Sequence, residues 1–460
     1  MNSNNNNSNN SNSSDRSFGL AITSSLVIGT MIGSGIFLLP ASLAQYGGVS
    51  LFGWLFAAMG AVCLAWVFAK LSHWHPGLGG PYHYTRIGIG EFPAFLVAWG
   101  YWISIWTGNA AIAMAAVSYC KLLIPALSDS TFLATGLALS FIWLFTAINI
   151  SGVKEAGITQ LITTVLKAVP LILFAIMGLW FVEPDHFTFD LSSFTEATNE
   201  STDNNTIIQL GSSIMAAAAL WLWAFLGVES ASIPADSIKE PQKTIPRATI
   251  IGVLAVAFIY ALGVIVVMGV IPPSDLATSD GPFADAAQRL WGSWAGILMT
   301  IIALISTLGA LNGLILLGGQ MPMAAARDNL FPRWFARQNK RQAPGLGIFL
   351  SAILTSILIL TTTSKTLLNV FNFAILLSTT SIIVPYLFCS AAAFRFQSSK
   401  KEKLKFISIT AIIAAFLFSL WALAGAGQEA VYWGFLLMMA GIPIYTGLKM
   451  KNDQTNETNS

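Results

Sequence analysis

The chain has 460 residues, of which 55% are apolar and only 10% charged, with a formal net charge of +2. That balance excludes a soluble globular protein and describes an all-α polytopic membrane protein. It also supplies no basic field of the kind that nucleic acid requires, so no nucleic-acid partner is expected.

Residues 1–16 are almost entirely Asn and Ser and cannot bury enough apolar surface to fold, so a disordered tail is expected there, and again over 449–460. The first apolar stretch, about 18–39, is too long for a signal peptide and lacks a basic n-region with a small-residue cleavage site. It is therefore expected to remain in the mature chain. Inside it lies Gly29-Thr30-Met31-Ile32-Gly33-Ser34-Gly35-Ile36-Phe37. Glycines at that depth weaken a helix, and freed backbone is tolerated in a membrane only where protein or a water-lined cavity surrounds it. The stretch reads as a broken helix beside a buried polar site.

Further apolar runs occur at about 50–71, 92–122, 131–151, 158–182 and 208–233, then about 246–271, 288–318, 345–363, 367–395, 405–424 and 430–448. With the first they make about twelve membrane helices. The sixth carries Trp221-Leu222-Trp223-Ala224-Phe225-Leu226-Gly227-Val228-Glu229-Ser230, a second interruption. Breaks in the first and sixth spans suggest two five-helix inverted repeats, 17–185 and 206–396, within a transporter domain over 17–448, with the helices of 405–448 outside the repeat. Close helix packing at small residues is the alternative reading of these glycines, but it does not explain two matched breaks.

Lys and Arg set the orientation. Placing the amino terminus inside puts Lys70, Arg86, Lys154, Lys239, Lys243, Arg247, Arg327, Arg333, Arg337, Lys340, Arg341, Arg395, Lys400, Lys401, Lys403 and Lys405 in cytoplasmic segments. The outer loops keep only Lys121, Arg289 and Lys365, and the loop over 183–206 is acidic. A multi-pass protein of the cell (inner) membrane with both termini cytoplasmic is expected.

Cys63, Cys120 and Cys389 are an odd, scattered set and read as packing thiols. His73, His75, His83 and His186 fall in loops or at helix ends, without the ligand set of a metal site. No nucleotide or metalloprotease motif is present, so neither metal, cofactor nor enzyme activity is expected.

The chemistry of a break follows from helix polarity: amide N–H groups opening one half-helix attract an anion, and carbonyls closing the other attract a cation. Ser34 and Gly35 would hold a carboxylate, and the carbonyls of Met31, Trp223 and Leu226 would face an ammonium group. An α-amino acid satisfies both.

These motifs, with Gly79-Gly80-Pro81-Tyr82-His83-Tyr84, Tyr101-Trp102, Gly108-Asn109 and Val384-Pro385-Tyr386-Leu387, resemble the amino acid/polyamine/organocation (APC) superfamily. Within it the chain is most similar to the basic amino acid/polyamine antiporters of arginine/agmatine type. The likeness implies a LeuT-like fold, amino acid or amine substrates, exchange by alternating access, and a homodimer. Carried onto this sequence, it puts the substrate carboxylate on Ser34 and Gly35, and lines the side-chain pocket with Tyr101, Ser104, Ile105 and Asn109. Trp223 would be the gate, with Glu229 linking gating to the sixth helix and Ser378 and Tyr386 at the pocket's rim. Asn109 has a second reading as an amide joining helices.

Two positions depart from the pattern. Leu314 stands where relatives place a Trp that stacks on the substrate, and that ring's cation–π contribution of roughly 0.5–2 kcal/mol is absent. Lys167 is an intramembrane ammonium, a functional group by default. It is either a proton carrier, making the protein a proton-coupled symporter, or a fixed cation in an exchanger. A membrane substrate sensor built on the same scaffold would require a larger signalling segment than either tail supplies.

Overall fold

The computed structural model describes residues 17–127, 130–187, 203–279, 281–361, 367–398 and 405–457. The Asn/Ser-rich tail, Lys365, Lys400, Lys401, Lys403 and most of the 183–206 loop lie outside the described residues. Without water to bond the backbone, the apolar runs close their own hydrogen bonds as helices. These are α1 (Leu20–Met31), α2 (Ser34–Ala44), α3 (Val49–Trp74), α4 (Pro81–Gly88), α5 (Glu91–Leu123), α6 (Thr131–Ser151), α7 (Val153–Gly178) and α8 (Asp203–Ala224). Then come α9 (Pro241–Val270), α10 (Pro282–Trp291), α11 (Ser293–Arg327), α12 (Gly345–Thr361), α13 (Leu367–Ser398), α14 (Lys405–Gly425), α15 (Gln428–Met439) and α16 (Gly441–Glu457).

Among the described residues ten segments are long and apolar enough to cross a membrane, and two shorter apolar helices, Leu210–Ala224 and Gly345–Thr361, stand at the sixth and ninth expected positions. The chain is an all-α, multi-pass membrane protein. The core sits around α5, whose apolar window is 89% buried, against 17% for Gln428–Lys451 at the carboxyl end. At 33 and 35 residues, α5 and α11 are longer than the roughly 20 residues that a bilayer core of about 30 Å requires at about 1.5 Å per residue.

The first span stops at Met31, passes through Ile32 and Gly33, and restarts at Ser34. The sixth stops at Ala224 and turns at Gly227, whose φ of 103° favours glycine. The sixth span is thus interrupted where the sequence pattern places the second break, before residue 233. Beyond the turn, Ser230–Ser232 and Ala235–Ser237 form only short 3₁₀ turns, because Gly227 and Pro234 break the ladder on either side. At the other end, α16 continues to Glu457, where an unfolded tail was expected from residue 449; its final residues include no Pro or Gly to stop it.

The basic loops meet on one face. Arg327 pairs with Asp236 at 2.9 Å and Arg86 with Asp328 at 3.0 Å, while Tyr82 donates to Asp328 Oδ2 at 2.8 Å. Asn339 and Arg341 donate to the carbonyls of Ile150 and Ser151. Both ends of the described chain reach this face, Phe18 through backbone bonds to Ser237 and Lys239 and α16 through Lys449 to Glu91.

His83 belongs to this cluster, its ring packed where a Cβ on Gly77 would come within 2.5 Å. Burial holds its imidazole below the ordinary value; Asp328 and Asp236 oppose this, and His75 and Arg86 reinforce it. A lowered folded-state pKa means stability that is present above the unfolded pKa of about 6.5 and lost as the pH falls below it. Detergent-solubilised protein should therefore melt lower at mildly acidic than at neutral pH, and His83→Gln should reduce that difference. An identical pH response in the variant would place the titration elsewhere.

Candidate substrate-binding site

A cavity of about 40 Å³ lies between the two breaks. At roughly 10–15 Å³ per water it holds only a few, so a ligand of amino acid size requires the walls to part. Of the residues expected to hold substrate, Met31, Ser34, Gly35, Ser104, Ile105, Trp223, Leu226, Leu314 and Ser378 line it, together with Glu229. Tyr101 and Asn109 do not, although both are buried. Gly33 and Gly227, read from the sequence only as the breaks, line it as well, as do Thr30, Ile112 and Ile382, which were not singled out. Ile112 and Ile382 had a usable signal, lying on the same helix faces about two turns beyond Ser104–Ile105 and about one turn beyond Ser378.

Ser34 and Gly35 open α2, so their amides have no carbonyl earlier in that helix to bond and sit at its positive end. The Ser34 hydroxyl is buried and has no hydrogen-bond partner. Here three donors face a cavity. Across from them the carbonyls are better served. Tyr260, in α9, places its hydroxyl 2.5 Å from Met31 O and 3.1 Å from Ala224 O, the last carbonyls of α1 and α8. Trp223 O accepts the Leu226 amide at 3.2 Å. Met31 O also accepts the Gly33 amide at 2.9 Å, so both of its lone pairs are engaged, whereas Ala224 O and Trp223 O each keep a second.

Trp223 spans the cavity. A Cβ on Gly35 would lie 3.1 Å from its Cδ1, and one on Gly108 3.8 Å from its Cη2, so the indole reaches from α2 to α5. The Ser104 and Ser378 hydroxyls are 3.0 Å apart, joining α5 to α13. Leu314 contributes an aliphatic wall from α11.

Glu229 is fully buried and accepts from two phenols, Tyr101 at 2.7 Å and Tyr386 at 2.6 Å. Tyr101 is thus a partner of the carboxylate rather than a wall of the cavity. Lys167 lies behind the first break: its ammonium donates to Gly29 O at 2.6 Å, Ile32 O at 2.5 Å and Ser306 O at 3.3 Å. Three protons meet three carbonyls, an arrangement that a bound cation would otherwise complete. An amide chain backs it, with Asn149 donating to Asn312 Oδ1, Asn312 to Gln160 Oε1, and Gln160 to Ser25 O.

Two barriers flank the cavity. Toward the basic face stand the Glu229 triad and the Gly79 amide bonded to Ile233 O at 2.8 Å. Toward the other, Phe37 packs edge-on to Phe283 of α10 at 5.2 Å and to Tyr119 at 6.2 Å, and Phe174 packs against Phe283 at 5.3 Å.

A family profile described as "Amino acid permease" matches residues 18–446. A cadaverine/lysine antiporter of Escherichia coli (strain K12) is 32% identical over 447 residues, covering 94% of this chain and 95% of its own. An arginine/ornithine antiporter of Pseudomonas aeruginosa is 30% identical, covering 95% and 94%. A putrescine transporter of Escherichia coli (strain K12) is 31% identical, covering 93% and 95%.

Two substitutions test the geometry of the breaks. Lys167→Met leaves three buried carbonyls short of a donor and should cost about 1–3 kcal/mol or more, read as a lower melting temperature in detergent. An unchanged melt would mean that the ammonium braces nothing. Gly227→Ala forces a β-carbon into a left-handed backbone and to within 2.7 Å of Thr30 Oγ1, so transport should be lost even where folded protein is recovered.

Proposed function

We infer the transported chemistry from a membership and a geometry: the chain belongs to the amino acid permease family, and its cavity lies between helix ends of opposite polarity. It is a secondary transporter with the exchange activity of the antiporters it resembles, and not an enzyme. The substrate proposed is an α-amino acid, its carboxylate on the amides of Ser34 and Gly35 and the Ser34 hydroxyl, its ammonium at the carbonyls of the two breaks. The observation that carries this reading is the buried, unpartnered Ser34 hydroxyl beside the first amides of α2.

The relatives' names add lysine, arginine, ornithine, cadaverine and putrescine, all with a cationic end on a flexible chain. An amino acid exchanged for another, or for its amine, is proposed here too. Leu314 offers such a cation no ring face, so a guanidinium loses its stacking advantage over an ammonium. Trp223 closes over the ligand, and Tyr101, Glu229 and Tyr386 open as one gate toward the basic face. That face is taken as the cytoplasmic side of the cell membrane, in accord with the positive-inside rule. The two five-helix repeats and a homodimeric assembly belong to the same reading.

Lys167 supports a second one. Were its ammonium to lose a proton during the cycle, its grip on Gly29 O and Ile32 O would loosen with it, and transport would be proton-linked. Proteoliposomes separate the two, using labelled arginine and lysine with empty or amino-acid-loaded lumens, each with and without an inward proton gradient. Uptake that requires internal substrate and ignores the gradient is expected. Gradient-driven accumulation in empty vesicles would replace exchange by symport, and Lys167→Ala should then abolish it.

A further inference from the structure

The role of Tyr260 is unexplained by packing alone. It is fully buried, its ring held against Phe225 at 5.6 Å and Trp221 at 6.4 Å, both from the sixth span. That packing aims one hydroxyl proton at two acceptors, Met31 O and Ala224 O. Both are terminal carbonyls at the negative end of a helix dipole, and the one amide beyond the break that reaches either is that of Gly33, at 2.9 Å from Met31 O. They are also the groups to which an α-ammonium between the breaks would turn. Nothing in the sequence marks the residue, which sits in an otherwise apolar stretch of α9.

We propose that Tyr260 is a placeholder for the substrate's α-ammonium: its hydroxyl satisfies the carbonyls that end α1 and α8, and the incoming ammonium competes with it for them. This rests on the amino acid reading given above. A neutral O–H offers one proton, whereas an ammonium offers three and bonds more strongly through its charge. The ligand therefore wins the exchange, but it gains only the difference between the two bonds. Affinity is held down at the amine end, which favours release on the far side. Because one residue bridges the ends of both broken spans, the hydroxyl also keeps them together while the amine is absent.

The competition has a distinctive sign. Removing the hydroxyl strips Ala224 O of its donor and leaves Met31 O with the Gly33 amide alone until the ammonium arrives, so binding should become tighter; loss of a mere brace would weaken it. Purified full-length protein is titrated calorimetrically with L-lysine and with 6-aminohexanoate, which keeps the carboxylate and side-chain amine but has no α-ammonium. L-Arginine and 5-guanidinopentanoate form a second pair. Tyr260→Phe should lower the Kd for the amino acids by about fivefold or more, without tightening the desamino analogues. Tyr260→Met, also without a donor, should behave the same way and serves if the Phe variant does not fold. A Kd for the amino acids that is unchanged or raised, in wild-type-like folded variants, overturns the placeholder. If the wild type binds each amino acid no better than its desamino analogue, or binds none of them, the α-amino acid reading falls and this inference with it.

Discussion

Two membrane helices are interrupted in the middle of a protein that must satisfy its backbone without bulk water, and the organisation of the site depends on how those freed groups are answered. An orphaned polar group in such surroundings costs about 1–3 kcal/mol, so a break survives only if side chains, solvent or ligand make good the loss. At the first break the answer is lopsided. The carbonyl end of α1 is served by protein, with Gly29 O and Ile32 O bonded to Lys167, Ile32 O also to the Ser306 hydroxyl, and Met31 O to Tyr260. The amide end of α2 presents donors, among them the unpartnered Ser34 hydroxyl, toward a cavity. The protein supplies its own cation and asks the ligand for an anion.

That division separates scaffold from moving parts. Lys167, Gln160 and Asn312 are buried amide and ammonium groups on α7 and α11 that grip α1 from one side. Gly29 fits among them so closely that a Cβ there would overlap Gln160 Nε2 and Thr164 Oγ1. Such contacts leave α1 little freedom to move without α7. On the opposite side of the cavity the contacts are fewer: serine with serine, two phenols on one carboxylate, indole against glycine. None of them ties that side to α7.

Much of this was legible in the chain. A hydropathy pattern interrupted by Gly33 and Gly35, and again by Gly227, is a direct statement about backbone in lipid, and it brings Met31, Ser34, Gly35, Trp223 and Leu226 together from pattern alone. Tyr101 and Asn109 show the limit of helical periodicity. Both keep the spacing of the α5 face, but Tyr101, a turn before Ser104, meets Glu229 instead of the cavity, and Asn109 is buried without lining it. Periodicity gives an angle around a helix, whereas a site also demands a height along it. Tyr260 and Gln160 were invisible for another reason: both donate to main-chain carbonyls of other helices, Met31 O and Ala224 O for the phenol and Ser25 O for the amide, which leave no mark in the side-chain pattern.

The lopsided first break also bears on why a carrier of this design would exchange rather than simply equilibrate. To return without ligand, it must close a nearly dry cavity over the Ser34 and Gly35 amides and the Ser34 hydroxyl, with no acceptor to meet them. At about 1–3 kcal/mol for each unmet donor, two such groups suffice to slow the empty return by a factor on the order of 30 or more, since each 1.4 kcal/mol is tenfold. A carboxylate removes that penalty. The corresponding cost at the carbonyl end is already met by Lys167 and Tyr260, so a small cation has little to offer. Coupling of one substrate to another then needs no dedicated device: it arises from leaving the donors of one half-helix for the ligand to satisfy while the protein satisfies the acceptors of the other.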